Sequence, residues 1–513
     1  MKLSDLLDSI EILNARGDLS GEVGSLCYDS RCCDKGSLFV AVSGLKADGH
    51  GYIGEATARG ARIVVYEREG TPLPENIPAV RVRDSRIALG ALGRRFYGDP
   101  SSRLCLIGVT GTNGKTTVTY LLESILQAAG HAAGVLGTVN YRYQGTIVPA
   151  PNTTPESFEM QRMLATMADA GVTHVVAEVS SHAVDLRRVD DCDFDLGIFT
   201  NLSQDHLDYH GTMEAYYEAK KRFFAAILPG SKKTRDIRMV VNSDDPAGSR
   251  LLQEVDLPAW SFGTGPTCRV RALRYGFTLA GTTADIQAGS DRFTLTSPLI
   301  GRFNLYNLLA ATAASLSLGL PVESIIRGIS DLKTIPGRLE LVSRAGEPCV
   351  FVDYAHTEDA LSKVLENLLP FRKKHIVTVF GCGGDRDRGK RPRMGAAAIM
   401  GSDWTILTSD NPRSENPREI LAEIEGGIPP GAASKQDPDE PLDQGSGKRY
   451  TVIPDRRAAI EAAIRHAGMD DVVLIAGKGH EDYQIIGDKR LWFDDRVVAR
   501  EALSTFHGGR PPS

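Results

Sequence analysis

No stretch of the 513-residue sequence approaches the roughly 18 consecutive apolar residues that a membrane-crossing helix needs. The opening MKLSDLLDSIEIL carries acids at Asp5, Asp8 and Glu11 and lacks the apolar centre of a secretory signal, so cytoplasmic residence is expected. A basic excess is also missing: the net charge is −6, which argues against a general nucleic-acid binder. Cysteine is sparse and scattered, at Cys27, Cys32, Cys33, Cys105, Cys192, Cys268, Cys349 and Cys382. None of these shows paired C-x-x-C metal spacing, and the adjacent Cys32 and Cys33 are poorly placed to bond each other. Free thiols in a reducing compartment are the expectation. No fixed-period repeat occurs.

What is present is the composition of a globular protein, 42% hydrophobic and 24% charged. At about 150 residues per domain the length suggests three domains. Residues 1–100 alternate short apolar strands (SLFVAV, ARIVVY) with a helical stretch, and YGDPSSR at 97–103 breaks the pattern. LCLIGVT then reads as a buried strand. A glycine-rich turn follows, and a helix on which Val118, Leu121, Leu122, Ile125 and Leu126 share one face, with Gly130 to end it. HVVAEVS, LGIFTNLS and RMVVNSDD continue a parallel-sheet pattern. Residues 268–300 alternate and turn instead, which predicts antiparallel hairpins inserted in that domain. TIPGRLE at 334–340 is a second break. Beyond it CVFVDYA, HIVTVFG, WTILTS and VVLIAG are four strands, each ending in a polar or glycine-rich loop where ligands of open α/β sheets bind. The expected fold class is therefore α/β in three domains, 1–100, 101–336 and 337–513. The central one is a P-loop parallel sheet with an antiparallel insertion, and the last is Rossmann-like. Residues 429–448, rich in Pro, Gly, Ser and Asp, read as a surface insertion without assigned function.

GVTGTNGKTT, 108–117, sits between a strand and a helix. Its glycines let backbone N–H groups turn toward phosphate, Lys115 can reach the terminal phosphates and Thr116 can ligate Mg²⁺. The spacing is G-x-x-G-x-x-G-K-T, with Val109 where the strict pattern has its first glycine. Glu178 (in EVSSH) and His206 (in NLSQDHLDYHG) end neighbouring strands and could complete a Mg²⁺ shell. In MEAYYEAKKRFF, Lys220 and Lys221 point about 100° apart, so on spacing alone both read as solvated. GCGGDRDRGKRPRMG, 381–395, is a basic candidate anion site without interleaved aromatics, and AGKGHEDYQ ends the last strand. The stretch LTSDNPRSEN, 407–416, places Asp410 and Arg413 on a turn stiffened by Pro412. Either that pair only closes the loop, or it reads a ligand bearing both charges.

GTNGKTT, NTTPE, EVSSHAVDLRRV, DHLDYHGTMEAYYEAKK, GCGGDRDRGKRP, DNPR and GKGHEDYQ together resemble the Mur ligase family, ATP-dependent amide-forming enzymes of peptidoglycan synthesis. Within it the likeness is to the ligases that add meso-2,6-diaminopimelate to the D-Glu γ-carboxylate of UDP-MurNAc-L-Ala-D-Glu. The resemblance implies that the three domains bind the UDP-linked substrate, ATP and the amino acid in turn. For ATP it implies Gly111, Thr112, Asn113, Gly114, Lys115, Thr116, Thr117, Asn304, Arg338 and Asp353. For the UDP-linked substrate it implies Ser30, Lys46, Asn152, Thr153, Thr154, Ser180 and Arg188. For diaminopimelate it implies Arg386, Asp410, Asn411, Pro412, Arg413, Gly477 and Glu481. Lys115, Lys220, His206 and Glu178 are implied as catalytic, with Mg²⁺ on Thr116, Glu178, His206 and Lys220, the last as N6-carboxylysine.

The chain departs from the family pattern in three places. Leu186 stands where relatives carry a glutamine facing the peptide, RCCDKG is slightly longer than its counterpart, and the 429–448 insertion has no counterpart. The expected partners are small molecules, with no nucleic acid, no membrane insertion and a monomeric state. Two alternatives remain: the same ligase using L-lysine, or a non-catalytic P-loop nucleotide switch.

Overall fold

The computed structural model describes residues 1–44, 47–233, 236–437 and 447–507. Three large sheets organise it, beside a two-stranded one of Tyr483–Ile486 and Lys489–Trp492. The first has five strands in the order Ile12–Arg16, Ala79–Val82, Ile63–Tyr66, Leu38–Val40 and Leu26–Cys27. All of its pairings are parallel except that of the edge strand Ile12–Arg16.

The second sheet has eleven strands with Cys105–Thr110 near its centre, between Leu196–Phe199 and His174–Glu178, both parallel to it. Every residue of Cys105–Thr110 is buried, as a strand covered on both faces must be. The Lys115–Ala128 helix buries Val118, Leu121, Leu122, Ile125 and Leu126 completely, on the face that their spacing predicts. Each such side chain contributes roughly 1.5–3 kcal/mol of burial. The expected hairpins are present as Val270–Thr278, Gly281–Ala288 and Asp291–Ser297. They extend the edge of the same sheet, because Val270–Thr278 pairs parallel to Ala259–Gly263.

The third sheet has seven strands, with Cys349–Asp353, Val472–Ala476, Ile376–Phe380 and Trp404–Leu407 adjacent and parallel in that order. These are the four strands read from sequence, so their C-terminal loops share one edge. Glu340–Leu341 and Arg449–Val452 flank them.

Two expectations change. The 429–448 stretch is exposed at Ser434–Lys435, as expected of a surface segment, but these two residues pair parallel to Arg449–Tyr450 at this sheet's edge; residues 438–446 lie outside the described residues. Backbone pairing needs no apolar side chains, so composition concealed it. Cys27 and Cys33 are not free thiols but a disulfide with Cα atoms 5.9 Å apart. The short turn at Ser30–Cys32 folds the chain back and brings them together. Cys32, Cys192, Cys268, Cys349 and Cys382 keep their thiols. Among the described residues no helix is long and apolar enough to cross a membrane.

Candidate functional site

The glycine-rich loop leaves the Cys105–Thr110 strand and enters the Lys115–Ala128 helix. Gly111 has φ 139° and a Cβ there would lie 1.9 Å from Thr200 Oγ1, so only glycine fits. Gly114, with φ 89°, starts the helix. Lys115 Nζ folds onto the loop, donating to the carbonyls of Gly111 (3.0 Å) and Thr112 (2.9 Å). Burial holds its amine below the usual range, aided by Arg338 and opposed by Glu178 and Asp205. Thr112 Oγ1 meets Tyr216 OH at 3.2 Å, and the Asn113 N–H donates to Asn201 Oδ1.

Lys220 lies on the Met213–Arg222 helix, is 1% exposed and donates to the same Gly111 carbonyl at 2.9 Å. The solvated reading is therefore wrong for Lys220. It is right for Lys221, which pairs with Glu218 and Glu254 at the surface. The 100° between them sends one inward and the other out. Burial, then the neighbouring Lys115, holds the Lys220 amine well below its usual range.

Glu178, 1% exposed, ends its strand facing the Gly137–Thr138 loop and accepts from Thr138 N (3.0 Å) and Oγ1 (2.9 Å). His206 adopts φ 54° and points Nε2 at Asp205 Oδ2, 3.4 Å away. Burial pushes its imidazole down to about 4, against the pull of Asp205. Neutral imidazole is the ligand form. Among the described residues no group of three His, Cys, Asp or Glu side chains forms a ready metal cage. Mg²⁺ usually takes one or two carboxylates and completes its shell with phosphate oxygens and water.

Arg338 crosses toward this loop, with Nη2 donating to Thr116 Oγ1 at 3.1 Å and the guanidinium 4.5 Å from the Tyr354 ring centroid. Its neighbour Gly337, φ 63°, backs onto the 477–479 turn, where a Cβ would lie 2.1 Å from the Gly479 carbonyl carbon. Asp353 accepts from Leu339 N (2.6 Å) and Ala355 N (2.7 Å). Asn304 donates to the Ile300 carbonyl and accepts from Asn307 Nδ2. Asp353 thus holds the backbone on either side of it, at Leu339 and Ala355, and Asn304 holds the start of its own helix. Asp359 was missed from sequence: its Oδ2 accepts from Ser203 Oγ (2.7 Å) and Asn113 Nδ2 (3.4 Å), tying the third sheet's first helix to the loop.

The candidate peptide residues gather beside Glu178. Thr154 Oγ1 donates to the Glu178 carbonyl (2.7 Å) and accepts from Ser180 N (3.1 Å). Thr153 Oγ1 meets Thr138 Oγ1 at 3.1 Å, and the Asn152 carbonyl accepts from Tyr141 OH at 2.6 Å. Arg188 donates to the Thr154 carbonyl and pairs with Glu156 at 2.6 Å. Leu186 ends the Ser181–Asp185 helix, half-buried. Ser30 is on the first sheet's side of the molecule, where its Oγ donates to Glu55 at 3.1 Å. Lys46 lies outside the described residues.

The third cluster is at the loop edge of the last sheet. Asp410 and Asn411 follow the Trp404–Leu407 strand and face Glu481. Asn411 Nδ2 donates to Glu481 Oε2 at 2.9 Å, and its Oδ1 accepts from Ile485 N at 2.9 Å. Arg413 takes φ 52°, exchanges backbone bonds with Ile485 and Gly487, and sends Nη1 to the Gly384 carbonyl at 2.6 Å. Its side chain bonds the Gly384 carbonyl rather than Asp410. Asp410 instead meets Lys478, which the sequence reading also passed over. Gly477 has φ 112°, and a Cβ there would lie 3.3 Å from Asp410 Oδ2. Arg386 is exposed at the rim, and its Cγ lies near Gly383, as does Arg413 Nη1. Burial and Asp410 raise the Glu481 carboxyl above its ordinary range, with Lys478 opposing.

Comparison with known proteins gives three domain matches in chain order. They are "Mur ligase family, catalytic domain" at residues 22–97, "Mur ligase middle domain" at 109–315 and "Mur ligase, glutamate ligase domain" at 337–479. A protein of Geobacter metallireducens named UDP-N-acetylmuramoyl-L-alanyl-D-glutamate–2,6-diaminopimelate ligase is 45% identical over 503 residues, covering 98% of each chain. A solved structure of a ligase with that name is 33% identical and superposes with a TM-score of 0.67 over 99% of both chains. The MurF ligase from Thermotoga maritima in complex with ADP shares the fold at 20% identity, TM-score 0.59, covering 94% of this chain and 96% of that one.

Proposed function

The chain belongs to the Mur ligase family, and we propose that it is the ATP-dependent ligase that adds meso-2,6-diaminopimelate to the D-Glu γ-carboxylate of UDP-MurNAc-L-Ala-D-Glu, in the cytoplasm, as a monomer. The observation that carries the choice of amino acid is the loop edge of the last sheet. There Asp410 and Glu481, from segments about 70 residues apart, meet at Lys478, and Arg413, three residues beyond Asp410, places a forked cation at the Gly384 carbonyl. Diaminopimelate differs from lysine by one carboxylate beside its far ammonium, and such an end needs both signs.

The reaction divides among the three regions. Residues 1–100, with Ser30 and Lys46, take the UDP end. Residues 101–336 take ATP on residues 111–117, with Arg338 and Asp353 closing from residues 337–513. The γ-phosphoryl group passes to the substrate carboxylate, giving an acyl phosphate. The amine of diaminopimelate attacks its carbonyl carbon, phosphate leaves and the amide forms. No protein nucleophile is needed. Lys115 and Arg338 stabilise the charge of the transferring group. Asn152, Thr153, Thr154, Ser180 and Arg188 hold the peptide beside Glu178. Mg²⁺ on Thr116, Glu178 and His206 would neutralise phosphate charge.

Burial disfavours the charged form of the Lys220 amine, and it is the uncharged amine that takes up carbon dioxide; as a carbamate Lys220 would offer that ion a further oxygen. Lys220→Ala is expected to lose most activity, and a short-chain carboxylic acid to restore part of it. A fully active variant, measured by ligation rate, would remove Lys220 from the site. The function itself is tested by offering a panel of amino acids with UDP-MurNAc-L-Ala-D-Glu and ATP and reading products by mass. Diaminopimelate is expected to be the preferred acceptor. Preference for lysine would overturn the choice of amino acid, and phosphate release indifferent to both substrates would overturn the ligase reading.

A further inference from the structure

Between the two carboxylates that receive the far ammonium sits a resident cation. Lys478, in the turn after the Val472–Ala476 strand, has a side chain with no exposed surface. Its Nζ lies 3.4 Å from Asp410 Oδ1, 3.2 Å from Glu481 Oε2 and 3.3 Å from Asn411 Oδ1. The Tyr483 ring centroid is 5.4 Å away. Taking an ammonium wholly out of water is expensive and persists only where anions surround it. The Gln484 side chain donates to the Asp410 carbonyl, fixing the same turn from the far side. Behind the cluster the buried Arg456 is matched by Asp495 at 2.7 Å, so that pair adds no net charge.

Among the groups shielded from water, two carboxylates, Asp410 and Glu481, are thus set against two cations, Lys478 and the half-buried Arg413, while the charge of the exposed Arg386 is screened by solvent. It is polar but balanced. A balanced pocket matches an amino-acid end that is itself balanced, an ammonium beside a carboxylate. Without Lys478 it would carry net negative charge and match a bare ammonium. Resting on the proposed function, we infer that Lys478 is a specificity-determining residue: it neutralises one of the two carboxylates, so that the pocket selects the zwitterionic end of a diamino dicarboxylic acid over the lone ammonium of lysine. Its contacts run through Asp410, Asn411 and Glu481, which makes it a positioning residue for those groups.

The test compares kcat/KM for diaminopimelate and for lysine in the full-length protein. Lys478→Gln keeps a donor and removes the charge. It is expected to lower the diaminopimelate-to-lysine ratio by roughly tenfold or more, while KM for ATP stays as in the wild type. Lys478→Arg keeps the charge and is expected to hold the ratio within a few-fold. It decides the matter alone if the Gln variant fails to fold by circular dichroism. An equal fall for both amino acids in Lys478→Gln would mean a merely structural lysine and overturn the inference. So would a ratio in Lys478→Arg shifted as far as roughly tenfold. A wild-type protein that ligates neither amino acid would overturn the proposed function and this inference together, whereas the variant results overturn only the role of Lys478.

Discussion

Arg413→Ala is expected to cut kcat/KM for diaminopimelate by roughly 10²-fold or more, while KM for ATP and use of lysine change little. The guanidinium is held at the pocket by backbone bonds on both sides of Arg413 and by its own bond to the Gly384 carbonyl. Those contacts fix its position before a carboxylate arrives, and a forked pair with a carboxylate is among the stronger polar contacts. Removing one partner of a desolvated charge pair costs on the order of 2–5 kcal/mol, because the other is left unpaired. Lysine brings no carboxylate to that position and loses nothing. The fold should tolerate the change, since the strained φ of 52° is common to Arg and Ala. Arg413→Lys should rescue poorly, because a point charge on a flexible stem cannot span both oxygens. The measurement is the ratio of kcat/KM for the two amino acids in wild type and variant, and an unchanged ratio would remove Arg413 from the amino-acid site.

Lys115→Ala is expected to abolish ligation and leave the protein folded. Lys115 Nζ donates only to two loop carbonyls, and its charge is disfavoured by burial and by Arg338. Those losses and gains nearly cancel, so stability should change by about 1 kcal/mol or less. Function differs, because the phosphates of ATP would meet this ammonium at the helix start, where the backbone already favours negative charge. Thermal denaturation and ligation rate measured on one preparation separate the two effects. Near wild-type ligation would refute the nucleotide assignment of the loop.

Sequence alone determined whatever depends on neighbouring residues. The strand, glycine turn and helix at 105–128 were legible because apolar runs, glycines and helical spacing are local, and the buried face of that helix followed from the spacing. The four strands of the last sheet were legible for the same reason, and their common edge followed from parallel pairing. Resemblance, rather than spacing, pointed to Lys220. Spacing could say that Lys220 and Lys221 diverge but not which one faces inward, since that depends on the Gly111 loop 109 residues earlier. Lys478 was invisible for a related reason. A lysine in a glycine-rich turn reads as solvated until the sheet brings Asp410, 68 residues away, to its ammonium. The Cys27–Cys33 bond and the Ser434–Lys435 edge strand were hidden differently, because a turn's path and a backbone pairing leave little mark on composition. Local chemistry is written along the chain. Which charges meet across a sheet edge is set by pairing and burial, and only the tertiary structure decides it.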